Sequence, residues 1–280
     1  MGNKYTEDDI KRANIEYHTK LAENYDKEQP YFSLENTSRV DDVLRRLSEE
    51  YGNDTLLDIG CGTGFILSIA KKYFKKVIGI DITQAMLDKV DTTGNVELRI
   101  ADSSHMPFGN RSIDVCTAYS VLHHLPSLMP TYREIFRCLK VGGAFYADGD
   151  PNYYCWRELR KLKTNRTSRL LRREIDSICN IPKEFKEEHG LTDETIKMAE
   201  YHRYMRCGMK QESVMQSLKK SEFSLIEFKY QWFLGEGDIY HNISPEVAKT
   251  TSEHLRELMP LSRSLFKYIS FIASKEWEIK

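Results

Sequence analysis

The stretch Leu57-Asp58-Ile59-Gly60-Cys61-Gly62-Thr63-Gly64 stands near the start of the first strongly apolar run of the chain. An apolar segment ending in alternating glycines predicts a strand, a tight turn and a helix, with the turn's backbone open to close approach by a ligand. Turns of this kind serve hydride, phosphoryl and methyl transfer alike, so the neighbouring residues must decide. The spacing is G-x-G-x-G, not the G-x-G-x-x-G of dinucleotide sites, and no G-K-[ST] follows, which excludes a P-loop. Asp58 precedes Gly60 by two residues. A carboxylate there repels a pyrophosphate at the helix N-terminus and suits a cationic group; the plain alternative is that Asp58 only caps the turn.

Two more acids continue the pattern. Asp81 ends a second expected strand, seventeen residues beyond Gly64, where a carboxylate can accept bonds from both ribose hydroxyls. Asp102 ends a third and is followed by Ser103, where a carboxylate can accept from an adenine amino group, with Ile82 and Met86 placed to sandwich the ring. Around them the periodicity predicts strands over 55–59, 76–80, 96–101, 113–119 and 143–148. Helices are expected near 64–73, 83–90 and 127–140, and a loop between 101 and 113. This alternation implies a doubly wound parallel sheet. Upstream, an amphipathic helix is expected over 6–27, presenting Ala13, Tyr17, Leu21 and Tyr25, with Thr6 capping it through Asp9. A second is expected to start at a Thr37 cap and to end at Gly52.

Composition limits the rest. The chain has 280 residues, 40% of them hydrophobic, with 41 lysines and arginines against 42 acids and a formal net charge of −1. That is ample for one core with a substantial insertion, and it is not the balance of a general nucleic-acid binder. Six cysteines without C-x-x-C spacing disfavour zinc and disulfide scaffolds and suit a reducing, cytoplasmic setting. No apolar run approaches the ~18 residues of a membrane helix. Met1-Gly2-Asn3-Lys4-Tyr5-Thr6 fits the M-G-x-x-x-[ST] acylation pattern, a short match that arises readily by chance.

After Pro151 the grammar changes. Residues 152–209 are helical in period without a clear strand, and then come a helix over 211–220, a strand over 225–233, a helical stretch around 246–258 and a strand over 265–273. Because strands resume, the expectation is one domain with an inserted helical cap: residues 1–151 as core, 152–209 as cap, and 210–280 completing the core.

The ordered motifs carry a resemblance. Leu57 to Gly64, Gly79-Ile80-Asp81, Ala101-Asp102-Ser103, Val121-Leu122-His123-His124-Leu125 and Leu139-Lys140-Val141-Gly142-Gly143 resemble those of class I S-adenosylmethionine-dependent methyltransferases, nearest in flavour to the small-molecule branch of quinone biosynthesis. The resemblance spans about residues 17–150, and 211–275 by strand order only. It implies an α/β, Rossmann-like, doubly wound sheet of seven strands, the last antiparallel, that binds S-adenosylmethionine and releases S-adenosylhomocysteine. Asp58 with Gly60, Cys61, Gly62 and Gly64 would hold the methionine moiety, Asp81 the ribose, and Asp102 and Ser103 the adenine. Tyr119 and Ser120 would pass near the sulfonium, and Tyr17 and Tyr25 would close over the cofactor.

A hydroxyl acceptor gains from a general base, whereas an amine or thiolate needs little beyond positioning. His123 and His124, after the fourth strand, are the candidate bases, since histidine titrates near neutral pH. Asp148, Asp150 and Tyr153 are weaker candidates. Asp150-Pro151-Asn152-Tyr153 is similar to the D-P-P-Y motif that stacks on flipped bases, but it follows the fifth strand instead of the fourth, which removes the main support for a nucleic-acid substrate.

The segment 156–173 holds eight basic residues and the single acid Glu158, with Trp156, Leu159 and Leu162 interleaved. It reads as a solvated face balanced by later acids, or as a contact for a membrane surface or an anionic, lipid-like acceptor. Tyr153, Tyr154, Trp156, Phe185, Tyr201, Tyr204, Trp232 and Phe233 are candidates to line an apolar acceptor pocket, unless they form the cap's own core. The expected activity is methyl transfer to a small, apolar or amphipathic metabolite, with oxygen the favoured acceptor, then nitrogen or carbon. An NAD(P)-dependent oxidoreductase and a non-catalytic cofactor-binding module stay open as alternatives.

Overall fold

The computed structural model describes residues 5–162 and 167–276. Seven strands run β1 (Thr55–Ile59), β2 (Lys76–Asp81), β3 (Val96–Ile100), β4 (Ile113–Tyr119), β5 (Leu139–Pro151), β6 (Ser224–Phe233) and β7 (Phe266–Ser274). They form one sheet in the order β3-β2-β1-β4-β5-β7-β6. The first five are parallel, and β7 lies antiparallel between β5 and β6. The strands expected from the sequence are all present, as is the loop between β3 and β4.

Before the sheet come α1 (Glu7–Leu21), α2 (Tyr25–Glu28) and α3 (Leu34–Tyr51). The single expected helix over 6–27 is thus two helices. Its start is as expected: the Thr6 hydroxyl accepts from Asp9 N at 3.1 Å while the Asp9 carboxylate accepts from Thr6 N at 2.9 Å, a reciprocal capping box. The second cap falls earlier than Thr37. Ser33 accepts from Asn36 N, and the Thr37 hydroxyl donates back to the Ser33 carbonyl, so Thr37 already lies in the helix. Residues 1–4 of the acylation pattern, Gly2 among them, lie outside the described residues.

Within the core follow α4 (Phe65–Ala70), α5 (Gln84–Leu87) and α6 (Met129–Cys138). Between β5 and β6 lie α7 (Tyr153–Lys161), α8 (Arg169–Cys179), α9 (Lys183–His189), α10 (Asp193–Ala199), α11 (Tyr201–Met205) and α12 (Gln211–Lys220). Helices α13 (Glu236–Asn242) and α14 (Pro245–Glu257) join β6 to β7, and α13 had no counterpart in the sequence reading.

Strands β1, β2 and β4 are buried on both faces, as their continuous apolar runs require, whereas the edge strand β3 is largely exposed. One face packs Val40, Leu44 and Leu47 of α3 and Phe65, Ile66 and Ile69 of α4 against Leu56, Val77 and Val115. The other packs Tyr132 and Ile135 of α6 and Val214 and Leu218 of α12 against Leu57, Cys116 and Phe145. The chain moves outward from β1 to β3 and then returns to β4 on the other side. That reversal opens a crevice beyond the carboxyl ends of β1 and β4, the usual ligand position in such sheets.

The helical segment after β5 leaves and returns at one place. Met209 N donates to the Pro151 carbonyl at 2.7 Å, and Tyr153 N donates to the Met209 carbonyl at 3.1 Å. Two small apolar clusters anchor the segment. Leu191, Ile196 and Ala199 pack on Tyr17 and Leu21 of α1, while Cys155, Trp156 and Leu159 pack on Ile175 and Ile178. These helices therefore stand over the crevice. Among the described residues no helix is long and apolar enough to cross a membrane.

Candidate functional site

A cavity of about 360 Å³ lies over the carboxyl ends of β1 to β4. Its floor is the glycine turn. Gly60 and Gly62 adopt φ of +63° and +52°, a region that favours glycine. A Cβ on Gly60 would meet Val121 Cγ2 at 2.2 Å, so the side chain is excluded by space as well as by conformation. Gly64, also left-handed, precedes α4 and donates to the Cys61 carbonyl at 2.9 Å. Cys61 itself is buried against Gly79, where a Cβ would fall 2.8 Å from its sulfur.

The three strand-end acids all line this cavity, in three different states. Asp81 buckles the turn to β2: it accepts from Gly62 N at 3.0 Å and from Thr83 N at 2.8 Å. Each oxygen keeps a lone pair, so ribose hydroxyls remain within its capacity. Asp58 is buried and accepts from the Thr117 hydroxyl at 2.7 Å. Burial pushes its carboxyl up to about 8, against the pull of that hydrogen bond. At neutral pH Asp58 is therefore largely protonated until a cation approaches, which corrects the picture of a standing charge. Asp102 is already engaged, accepting from Lys11 Nζ at 2.7 Å and from Ser104 N and Oγ at 2.8 Å each. The Ser103 hydroxyl is hydrogen-bonded to that of Thr131 at 2.9 Å. Ile82 and Met86 also line this cavity.

A second cavity, of about 870 Å³, opens between the sheet end and the helices of 152–209. The two cavities share His18, Tyr25, Tyr31, Tyr119, Ser120 and His124. Tyr119, Tyr31 and Phe65 form a ring cluster with centroids 5.0 to 5.4 Å apart. Asn36 fixes it, donating to both the Tyr119 hydroxyl and the Tyr31 carbonyl at 2.8 Å. Ser120 carries a left-handed φ of +55° and donates its N–H to the Asp148 carbonyl at 2.6 Å, a strained backbone at the shared wall. Thr63 beside the glycines donates to Asp26 of α2 at 2.5 Å, so the lead-in helices are pinned over the first cavity.

The two histidines part company. His123 is caught between acids: Nδ1 lies 2.9 Å from Asp150 and Nε2 3.5 Å from Glu200. Burial pushes it down, yet the two carboxylates hold it at about 9, so it is an imidazolium with no lone pair to offer. His123 is accordingly corrected from candidate base to ion-pair member, and Asp150 from weak base to its partner. His124 lies against the Ala199 carbonyl at 2.7 Å through Nδ1, which fixes the proton there and leaves Nε2 as an acceptor. Burial and the neighbouring imidazolium push its value well down, keeping it neutral. Asp148 is buried and spent on Arg39 at 2.6 Å and on the Tyr146 hydroxyl at 2.5 Å, which removes it as a base.

Among the candidate acceptor aromatics, Trp156, Phe185, Tyr204 and Trp232 line the second cavity. So does Tyr17, expected at the cofactor. Tyr153, Tyr154, Tyr201 and Phe233 line neither cavity. The Tyr154 hydroxyl is bound to Glu212, the Tyr201 hydroxyl accepts from Arg206, and Phe233 belongs to the main core. The basic segment is not one lipid-facing helix: Trp156 and Leu159 face inward, Arg157 and Lys161 pair with Glu158, and Arg160 donates to the Arg203 and Tyr204 carbonyls. The sequence reading missed Tyr31, Tyr268, Arg39, Arg203 and Lys267 in the second cavity.

Residues 57–147 match the family model described as a methyltransferase domain. Among curated proteins, 27-O-demethylrifamycin SV methyltransferase of Amycolatopsis mediterranei is 32% identical over 117 residues, 39% of this chain and 43% of that protein. Demethylmenaquinone methyltransferase of Lactobacillus johnsonii is 28% identical over 153 residues, 51% of this chain and 61% of that protein. The chain thus spans about half the length of the curated relatives it matches. Among solved structures, a SAM dependent methyltransferase from Archaeoglobus fulgidus superposes with a TM-score of 0.52 at 19% identity, over 88% of this chain and 100% of that one. Phosphoethanolamine N-methyltransferase 2 of Haemonchus contortus, in complex with phosphomonomethylethanolamine and S-adenosylhomocysteine, gives 0.56 at 17% identity, over 99% of this chain and 62% of that one. Residues 57–147 thus carry a methyltransferase domain, set in a seven-stranded sheet with the fold of solved S-adenosylmethionine-dependent methyltransferases.

Proposed function

We propose that the chain transfers a methyl group from S-adenosylmethionine, held in the first cavity, to a small acceptor held in the second. One observation carries this reading: two cavities of nucleoside and metabolite size share a wall of Tyr25, Tyr31, Tyr119, Ser120 and His124. When bound, the cofactor supplies a methyl carbon made electrophilic by a sulfonium. The chain's own work is then positioning, exclusion of water and proton removal.

In this reading residues 1–151 and 210–280 form the core, and 152–209 the acceptor cap. Asp58 takes the ammonium, Asp81 the ribose hydroxyls, and Asp102 with the Ser103 backbone the adenine edge. The rings of Tyr31, Phe65 and Tyr119 present negative faces to the cationic centre. Oxygen is the favoured acceptor atom, ahead of nitrogen or carbon, because His124 offers a neutral Nε2 at the shared wall. The second cavity mixes aromatic surface with Arg39, Arg203 and Lys267, each near an acid, which suits an amphipathic acceptor more than a highly charged one.

Incubation with methyl-labelled S-adenosylmethionine and a metabolite extract, followed by mass spectrometry, tests this. Label in a small molecule, with stoichiometric S-adenosylhomocysteine, is the expected result. Cofactor binding without label in any metabolite would leave a non-catalytic module instead.

A further inference from the structure

At the rim of the second cavity, away from the shared wall, Glu28 at the end of α2 meets Glu188 and His189 at the end of α9. One ligand atom from each lies within 4.8 Å of the other two. The His189 side chain is only 6% exposed, yet its Nε2 is buried without a hydrogen-bond partner. Glu28 Oε1 stands 3.6 Å from it, beyond hydrogen-bond reach. A buried imidazole nitrogen with nothing to bond, facing two carboxylates, is costly as it stands. Lys20, which reaches the adjoining Gly190 carbonyl at 2.7 Å, is also held by Glu16 at 2.9 Å. The Phe185 ring, 4.6 Å from the imidazole, fixes its orientation.

We propose that Glu28, Glu188 and His189 bind a divalent metal ion of the zinc class at the mouth of the acceptor cavity. One imidazole and two carboxylates suit zinc at bond lengths near ~2.0–2.2 Å. Donors must then draw somewhat closer than they stand, and the two glutamate side chains, more exposed than the imidazole, have the rotamer freedom to do so. The ion ties the lead-in helix α2 to α9, and so clamps two walls of the cavity. With three protein donors, a tetrahedral ion keeps a fourth position for water or for an oxygen of the acceptor. Only that last point rests on the methyl-transfer reading.

The test uses the full chain, stripped with a chelator and titrated with Zn2+ by calorimetry, and with Co2+ by visible absorption, without cofactor or acceptor. One equivalent should bind, with His189→Ala and Glu28→Gln each weakening it at least about tenfold while far-ultraviolet circular dichroism stays native. Glu184→Gln, also on α9 but outside the cluster, should bind as the parent does. No saturable binding would overturn the proposal, which would leave a plain histidine–carboxylate contact. Parent-like affinity in both variants, or thiolate charge-transfer bands from a cysteine site, would overturn it too. Since no methyl donor is present, failure here leaves the transfer reading intact, and failure of labelling leaves the metal site intact.

Discussion

The rings of His123 and His124 lie 4.0 Å apart, centroid to centroid, yet their surroundings push their titrations in opposite directions. Asp150 and Glu200 clasp the first, while the Ala199 carbonyl takes the one proton of the second. The imidazolium then keeps its neighbour neutral. In the proposed mechanism this leaves His124 as the one candidate base of the pair.

Nitrogen NMR of the histidine side chains should therefore find His123 doubly protonated at pH 7.5 and His124 as the neutral Nδ1–H tautomer. His124→Ala should depress turnover on a hydroxyl acceptor by about 10²–10⁴-fold with cofactor affinity unchanged. His123→Gln should act first on stability. A folded value of about 9 against an ordinary 6.5 means the His123 contribution is full below about 6.5 and is lost as pH rises through about 9. Denaturant melts of parent and variant should converge over that window.

Asp58 links cofactor binding to protons. Its carboxyl, at about 8 in the free protein, is mostly protonated at pH 6 to 7.5, and an ammonium placed beside it favours the carboxylate. Binding of S-adenosylmethionine should release a proton and tighten as pH rises across that range. Calorimetry in buffers of different ionisation enthalpy reads the release directly. Asp58→Asn should abolish it.

Asp81→Ala removes the carboxylate that holds Gly62 N and that the proposed binding mode gives to the ribose. Cofactor affinity should fall by roughly 1–3 kcal/mol. Equal affinity in parent and variant would mean that the ribose is held elsewhere.

Gly60→Ala places a methyl 2.2 Å from Val121 at φ of +63°. Strain of roughly 1–2 kcal/mol from conformation alone adds to the clash. Thermal melting should drop, and cofactor binding should be lost. Val121→Ala in the same chain should restore melting in part, because it relieves the clash and not the backbone.

The glycine turn, the three strand-end acids and the strand order were legible because short-range patterns carry them: apolar runs between turn residues, and acids at strand ends. The Ser33 cap was not, since both Ser33 and Thr37 satisfy the composition rule and only the bond from Asn36 N separates them. The second cavity was half legible. Trp156 and Tyr204 stand in a segment visibly rich in aromatics, but Tyr31 and Tyr268 come from the α2–α3 connection and β7, brought together only by the sheet's order. Tyr154 and Tyr201 show the converse. Their hydroxyls found Glu212 and Arg206 outside the cavity, and nothing in the local spacing announces which side of a short helix will face inward. The protonation split at His123 and His124 was likewise hidden, because it depends on Glu200, far along the chain.

The methyl-donor reading rests on a cavity made for a cationic nucleoside without a pyrophosphate. Calorimetric titration of the full chain with S-adenosylmethionine and, separately, with NADH addresses this without any knowledge of the acceptor. One equivalent of S-adenosylmethionine should bind, with a proton released below pH 8, and NADH should give no saturable heat. Saturable binding of NADH with none of S-adenosylmethionine would contradict the assignment.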